Sequence, residues 1–446
     1  MRNLSVVPNE WVTVGPLAFD QMSTLSSTMP INWIIGLNFN VSSVENPENA
    51  LAMATAAESS IGENIYAFEI GNEPDNFVTV KQRPPGWNMA DYVEEWAPFA
   101  LKLQQTVPST RHQGIEAAVF GGGGWRITDL LNYDINGSTF IDTFQTSIKG
   151  VSKHQYQTSN CNLLNPPVLQ DLLNHSSIES KVKNAVSGLS SDDLATYAFR
   201  LGEFNSVSCE GRNGLSNSFA SALWAIDYMM LLAYNNVTAC NIHNRFPSYY
   251  NIADRVGGVW KAQPVWYSLL FIAQAFGGIK GNGVSITSLA TEDPDMPAYG
   301  LYKQAILTSI IVINLKRPSS GYQNQTITLI VDTSKNQYST QPLYLSSLVT
   351  KAAEYQSGIR WANQTMDGST DGKIQGKPYA TVLQPNVSSS SITYSFVIPA
   401  FSAHLLEYRK SVVKEGFASG SSGSYGNVKT ITRNILLLML LICHLR

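Results

Sequence analysis

Glu73 stands in the stretch IGNEPDN (70–76) and Glu203 in RLGEFNS (200–206), each close to a glycine and an asparagine. Only 14% of the chain is charged, yet Glu69, Glu73 and Asp75 crowd into and around the first stretch. Two carboxyl groups set opposite one another can divide one reaction. A protonated one gives its proton to a departing oxygen, and an ionised one attacks carbon or activates water. Cleavage of an acetal such as a glycosidic bond calls for this division. Carboxylates this far apart in sequence must be carried to one place by the fold.

Strands are expected to carry them. Residues 66–70 are aromatic and β-branched, and Gly71, Asn72 and Pro74 end the run. Upstream, INWIIGLNF (31–39) reads as a strand and ENPENALAMATAAESS (45–60) as a helix. Downstream come a helix at 89–106, strands at 115–124 and 151–157, and the stretch LATYAFRLGEFNS (194–206). A long helix in 216–234, a strand at 237–244 and a helix at 264–276 close the series. This alternation predicts an α/β fold of the (β/α)8 TIM-barrel type over residues 1–277, with both glutamates at strand ends, where such barrels keep their chemistry. After Gly277 short alternating runs between Ser, Asn, Gly and Pro clusters predict an antiparallel β-sandwich at 278–410. A Ser/Gly-rich tail follows at 411–446. The run Gly121–Gly124 lacks the Lys-Ser/Thr ending of a phosphate loop and reads as a strand-end turn.

Composition narrows the partners. A net charge of -3 gives no surplus of cations for nucleic acid or an anionic membrane. A carbohydrate ligand stays open. The four cysteines, Cys161, Cys209, Cys240 and Cys443, show no C-x-x-C spacing, so neither a zinc site nor a redox pair is suggested. Asn-x-Ser/Thr triplets begin at Asn3, Asn40, Asn136, Asn174, Asn236, Asn324, Asn363 and Asn386. Of these, Asn40, Asn136, Asn236, Asn324, Asn363 and Asn386 are taken as glycan acceptors of a secreted or cell-surface protein. The apolar run 435–443 is too short for a membrane span and is either a lipid-anchor (GPI-type) signal or plain tail.

The motifs GNEPD (71–75), HQY (154–156) and RLGEFNSVSC (200–209), with the closing VIPAFSAHLLEY, resemble glycoside hydrolase family 79, the β-glucuronidases and heparanases, with the fungal branch most similar. The likeness covers about residues 31–408. It implies a retaining exo-β-glucuronidase on uronate-containing glycans, with Glu73 as acid/base and Glu203 as nucleophile. The alternatives are a heparanase-like endo-hydrolase and a glycan-binding surface protein without catalysis. No cofactor or metal is implied. Like charges so close resist joint ionisation, so Glu73 is expected protonated and Glu203 charged.

Further roles follow from the same likeness. Asn72 is expected either to bond the sugar 2-OH or to bond its own backbone. Tyr156 is expected to orient the nucleophile or to line the core. His154, His243 and Tyr249 are further substrate-binding candidates, with Tyr250, Arg245 and Arg212 nearby. Glu69 is expected to pair with Arg200, and Asp75 to cap the loop after Pro74. Family members place a tyrosine five residues after the nucleophile against the uronate, whereas this chain has Ser208. Cys161 and Cys209, each shortly past the end of adjacent strands, are expected to form a disulfide. In the family's clan the acid/base follows the fourth strand, yet one strand alone precedes the strand of Glu73 here. The expectation is a barrel lacking its first strands, with two unpaired edges.

Overall fold

Six segments form one parallel sheet in the computed structural model: Trp33–Leu37 (β1), Ile65–Ile70 (β2), Ile115–Phe120 (β3), Ile148–Ser159 (β4), Arg200–Ser208 (β5) and Ala239–Ile242 (β6). They lie side by side in chain order, and every neighbouring pair is parallel. The structure describes residues 15–40, 44–107, 114–161, 164–277, 284–317, 324–331, 340–388 and 391–408. Parallel neighbours require crossovers, and helices supply most of them. Pro16–Thr28 (α1) precedes β1, and Glu48–Ile61 (α2), Met89–Thr106 (α3), His175–Ala185 (α4), Phe219–Tyr234 (α5) and Pro264–Gly277 (α6) follow. Among the described residues β1 and β6 each pair on one side only, so the sheet is a half-barrel with two open edges.

Local chemistry sets the boundaries. Asn88 caps α3 by accepting from Ala90 N (2.8 Å), while Asp91 accepts from Asn88 N (2.8 Å). Helices α1 and α4 were not expected from the sequence. The polar stretch HSSIESKVKNA of α4 buries Ile178, Val182 and Ala185, a narrow stripe at helical spacing. Its N-cap is Asn174, whose side chain accepts from Ser177 N (2.7 Å).

Helix α5 is buried at every position from Phe219 to Leu232. A helix apolar on all sides needs cover on all sides. The half-barrel covers one side, and the C-terminal sheet covers another. That sheet is antiparallel, built from Val284–Leu289 (β7), Ala298–Lys303 (β8), Ile306–Asn314 (β9), Leu343–Val349 (β11) and Ser402–Tyr408 (β13), with short additions at Arg360–Trp361 and Thr381–Leu383. Gln325–Val331 (β10), Ile392–Ile398 (β12) and Asn386–Val387 make a second sheet across it. Ile310, Val312, Tyr394, Phe396 and Leu406 fill the space between the sheets. The first sheet's other face, with Tyr299, Ile311 and Leu405, joins the same core as α5 and α6.

A buried polar joint fixes that contact. Asp227 on α5 is fully buried and accepts from Tyr299 Oη on β8 (2.5 Å) and from His175 Nδ1 on α4 (2.8 Å). Burial opposes charging of His175, but Asp227 outweighs it and raises the histidine's pKa. Because the folded pKa lies above the unfolded one, this stabilisation is fully present below about pH 6.5 and fades as pH rises through the raised value. Asp227→Ala should lower unfolding free energy by about 3 kcal/mol at pH 6 and less at high pH, read by urea denaturation at both pH values.

Candidate active site

Strand β2 ends at Ile70, and the turn after it is locked to both neighbouring strands. Gly71 N donates to Leu37 O (3.0 Å), and Glu73 N donates to Val119 O (3.0 Å). Gly71 has φ +82, with Phe39 only 3.0 Å from where a Cβ would stand. Glu73 takes the left-handed conformation, φ 51, ahead of the single turn Pro74–Asn76. Asp75 does not cap its own loop. Its carboxylate instead accepts from Gly121 N (2.8 Å) and Gly123 N (2.7 Å) in the loop after β3.

This contact explains two of the four glycines, Gly121 and Gly123. A Cβ on Gly121 would stand 2.5 Å from Glu73 Cδ, and one on Gly123 would stand 2.0 Å from Asp75 O. Bare backbone is what lets the two loops meet. On the far side, buried Arg83 pairs with Glu95 (2.7 Å), donates to Phe39 O (3.0 Å) and lies over the rings of Phe39, Phe77 and Trp87. The loop that holds Glu73 is thus pinned at both ends.

Strands β4 and β5 bring the remaining groups into register, with His154 beside Glu203 and Tyr156 beside Asn205. Period-two alternation puts His154 and Tyr156 on one face. His154 Nδ1 lies 3.0 Å from Glu73 Oε1 and 3.8 Å from Glu203 Oε2. Asn76 Nδ2 donates to the other Glu73 oxygen (3.1 Å). Tyr156 Oη donates to Glu203 Oε1 (2.5 Å) and also contacts His243 Nδ1. His243, just past β6, lies 3.2 Å from Glu203 Oε1. Asn205 holds this end together by donating to His243 O (2.9 Å) and Tyr250 O (3.1 Å).

Charge in the cluster differs from the expectation that Glu73 is protonated. Burial disfavours a charged His154, yet the carboxylates of Glu203 and Glu73 outweigh it and push its pKa up to about 9. Burial likewise works to raise Glu73, but the hydrogen bond and charge of His154 hold it below the usual value. The proton between them therefore rests on His154 Nδ1 and points at Glu73. The physical reason is that an imidazolium between two carboxylates removes the repulsion that would have kept one of them neutral.

Other candidates separate into those inside and outside the cluster. Asn72 Oδ1 is buried with no hydrogen-bond partner among the described residues. Tyr249 is 49% exposed, and its neighbour Tyr250 takes the inner place, Oη 3.1 Å from His243 Nδ1. Glu69 does not pair with Arg200. Arg200 Nε binds Glu116 (2.8 Å), the residue beside Glu69 across β2 and β3. Burial and the charge of Glu116 raise the pKa of Glu69 well above the carboxylate range. The sequence reading overlooked Glu116, although its place in an otherwise apolar strand, IEAAVF, was a signal. Arg245 approaches Glu210 (3.7 Å). Cys161 and Cys209 are joined by a disulfide with Cα atoms 5.4 Å apart, and Ser208 lies beside it. Cys240 is a free thiol. Of the glycan-acceptor candidates, Asn136, Asn236, Asn324, Asn363 and Asn386 are exposed and Asn40 is half-buried. Asn3, Cys443 and the apolar run 435–443 lie outside the described residues. No helix among the described residues is long and apolar enough to cross a membrane.

One ligand atom each from Glu73, His154 and Glu203 lies within 4.8 Å of the others, close enough to hold a metal ion. Asn76 and His154 already bond Glu73, and Tyr156 already bonds Glu203 Oε1.

No family model matches the chain. It is 28% identical over 320 residues to a protein of Aspergillus niger named β-glucuronidase, an alignment that covers 68% of this chain and 57% of that relative. A Neurospora crassa protein of the same name is 25% identical over 94% of this chain and 78% of its own length. The chain thus spans little more than half of the first relative. Among solved structures, a 4-O-α-L-rhamnosyl-β-D-glucuronidase of Fusarium oxysporum superposes with a TM-score of 0.70 at 20% identity, over 90% of this chain and 82% of that one. A family 51 α-L-arabinofuranosidase of Bifidobacterium longum gives 0.55 at 12%, over 87% and 78%. By sequence the chain is a relative of the two fungal proteins named β-glucuronidase, and with its fold this is consistent with glycoside hydrolase family 79.

Proposed function

We propose that the chain is a retaining glycoside hydrolase that releases β-linked glucuronic acid from the ends of glycans, with Glu203 as nucleophile and Glu73 as acid/base. The observation that carries this reading is that oxygens of Glu73 and Glu203 lie within 4.8 Å of each other. Retaining enzymes hold their carboxyls about 5–5.5 Å apart, whereas inverting ones leave about 6.5–9.5 Å for a water. The names of the relatives support the glucuronide. The disulfide and the exposed acceptor asparagines support an oxidising, secretory setting.

The charges give an order of events. Glu203, ionised and aimed by Tyr156 and His243, attacks the anomeric carbon and forms the glycosyl ester. Its negative charge, the largest influence that favours a protonated His154, disappears in that step. The proton on Nδ1 is then held less tightly and passes to Glu73, which delivers it to the leaving oxygen. Glu73, ionised again, draws a proton from water as water attacks the ester, Glu203 is restored as a carboxylate, and the proton on Glu73 passes back to His154 Nδ1. Asn72, with its unpartnered buried oxygen, accepts a hydrogen bond from the sugar 2-OH.

Four outcomes are expected. Glu203→Ala should abolish hydrolysis of every β-glucuronide. Glu73→Ala should slow sugar glucuronides by about 10²–10⁴-fold while sparing aryl glucuronides whose leaving group departs without an acid. Equal losses on both substrates for both variants would refute the roles. Gly121→Ala should lower turnover of sugar glucuronides by about 10²-fold through displacement of Glu73, with the thermal midpoint measured alongside to show that the fold survives. Finally, kcat/KM of the free enzyme should fall on the alkaline side near the His154 pKa of about 9. Imidazole NMR should place that titration on His154, and Glu73→Gln should move it downward.

A further inference from the structure

The loop that leaves β6 goes on past Tyr250 into a hairpin, Ala253–Val256 paired with Val259–Ala262, and returns to the barrel where Gln263 N donates to Ile252 O (2.9 Å). In the hairpin register Arg255 stands directly opposite Trp260, so the two side chains leave the same face. Trp260 is 52% exposed and Phe246 is 56% exposed. Their rings meet near edge-on, with centroids 5.7 Å apart. Phe246 is three residues beyond His243, which bounds its Cα to within about 10 Å of a histidine that touches the nucleophile. Two large rings are therefore left in water beside the site mouth, although burying one would gain about 1.5–3 kcal/mol. Arg255 Nε donates to Gly258 O (3.1 Å), which steadies the guanidinium on the hairpin, and no carboxylate pairs with it among the described residues.

We infer that Phe246, Trp260 and Arg255 form an accessory binding site for a second uronate sugar of the same carbohydrate chain, beside the one that is cleaved. The inference rests on the glucuronide reading above. A pyranose presents an apolar C–H face that lies flat on an aromatic ring, and its carboxylate projects from the ring edge. A guanidinium at the edge of the platform meets that carboxylate with a charge-assisted, two-pronged bond. Continuity with the mouth of the site favours a sugar of the substrate chain as occupant. The cation facing Trp260 favours an acidic sugar.

Calorimetric titration of the Glu203→Gln chain, which leaves the ligand uncut, tests this with three ligands: free glucuronate, a β-linked oligoglucuronic acid and an uncharged β-linked glucose oligosaccharide. The oligoglucuronic acid should bind tighter than glucuronate. Adding Trp260→Ala should weaken its binding about tenfold, and adding Arg255→Gln about fivefold, while glucuronate affinity changes less than twofold. Equal effects on both uronate ligands, or none, would overturn the platform and leave the glucuronide reading standing. Equally tight binding of the glucose oligosaccharide would overturn the acidic class of ligand. A parent that binds none of the three would overturn both readings.

Discussion

The imidazolium of His154 between Glu73 and Glu203 is the interaction on which the rest of the site depends. Two ionised carboxylates within a few ångströms, both largely out of water, repel strongly at low effective dielectric. Either one takes up a proton, or a cation is built between them. This chain does the second, with Nδ1 at 3.0 Å from one and 3.8 Å from the other. The strands follow from that need. His154 can reach both only because β4 puts it in register with Glu203 on β5, while the turn after β2 leans across β3 to present Glu73.

That lean is held by contacts without catalytic chemistry. Asp75 draws the Gly121–Gly124 backbone close, and Arg83 fixes the far end of the same loop against Glu95. A carboxylate that accepts two backbone N–H groups is well satisfied even when buried. Of the three acids around residues 69–75, Glu73 bonds His154, Asp75 builds the loop and Glu69 is buried beside Glu116. The sequence shows three carboxylates, and three-dimensional neighbours decide which is which.

Strand order, the change of texture near Gly277 and the two glutamates were legible because each leaves a periodic or punctuated local signal. Residues 66–70 are aromatic and β-branched enough for a strand, and Gly71 and Pro74 stop it. What stayed hidden depends on partners far along the chain. Nothing local told that Arg200 would choose Glu116 over Glu69, since all three lie on strands whose register only the folded sheet fixes. Tyr249 and Tyr250 are adjacent, and which one turns inward depends on Asn205 grasping the Tyr250 carbonyl. Helix α4 escaped notice because its apolar stripe is only three residues wide.

The layer beneath the catalytic groups shows how the barrel interior tolerates so many ionisable side chains. Glu116 and Arg200 neutralise each other at 2.8 Å, although Glu116 Oε2 and Arg200 Nη1 find no hydrogen-bond partner among the described residues. Breaking such a pair costs more than forming it gains, so it acts as a fixed, net-neutral floor. Glu69, raised in pKa by burial and by Glu116, is neutral at ordinary pH and adds no charge to that floor. A charged Glu69 would strengthen the hold on the His154 proton, since its carboxylate is among the groups that raise the histidine. Kept neutral, it leaves the hold on that proton to Glu203 and Glu73, the two carboxylates nearest to Nδ1.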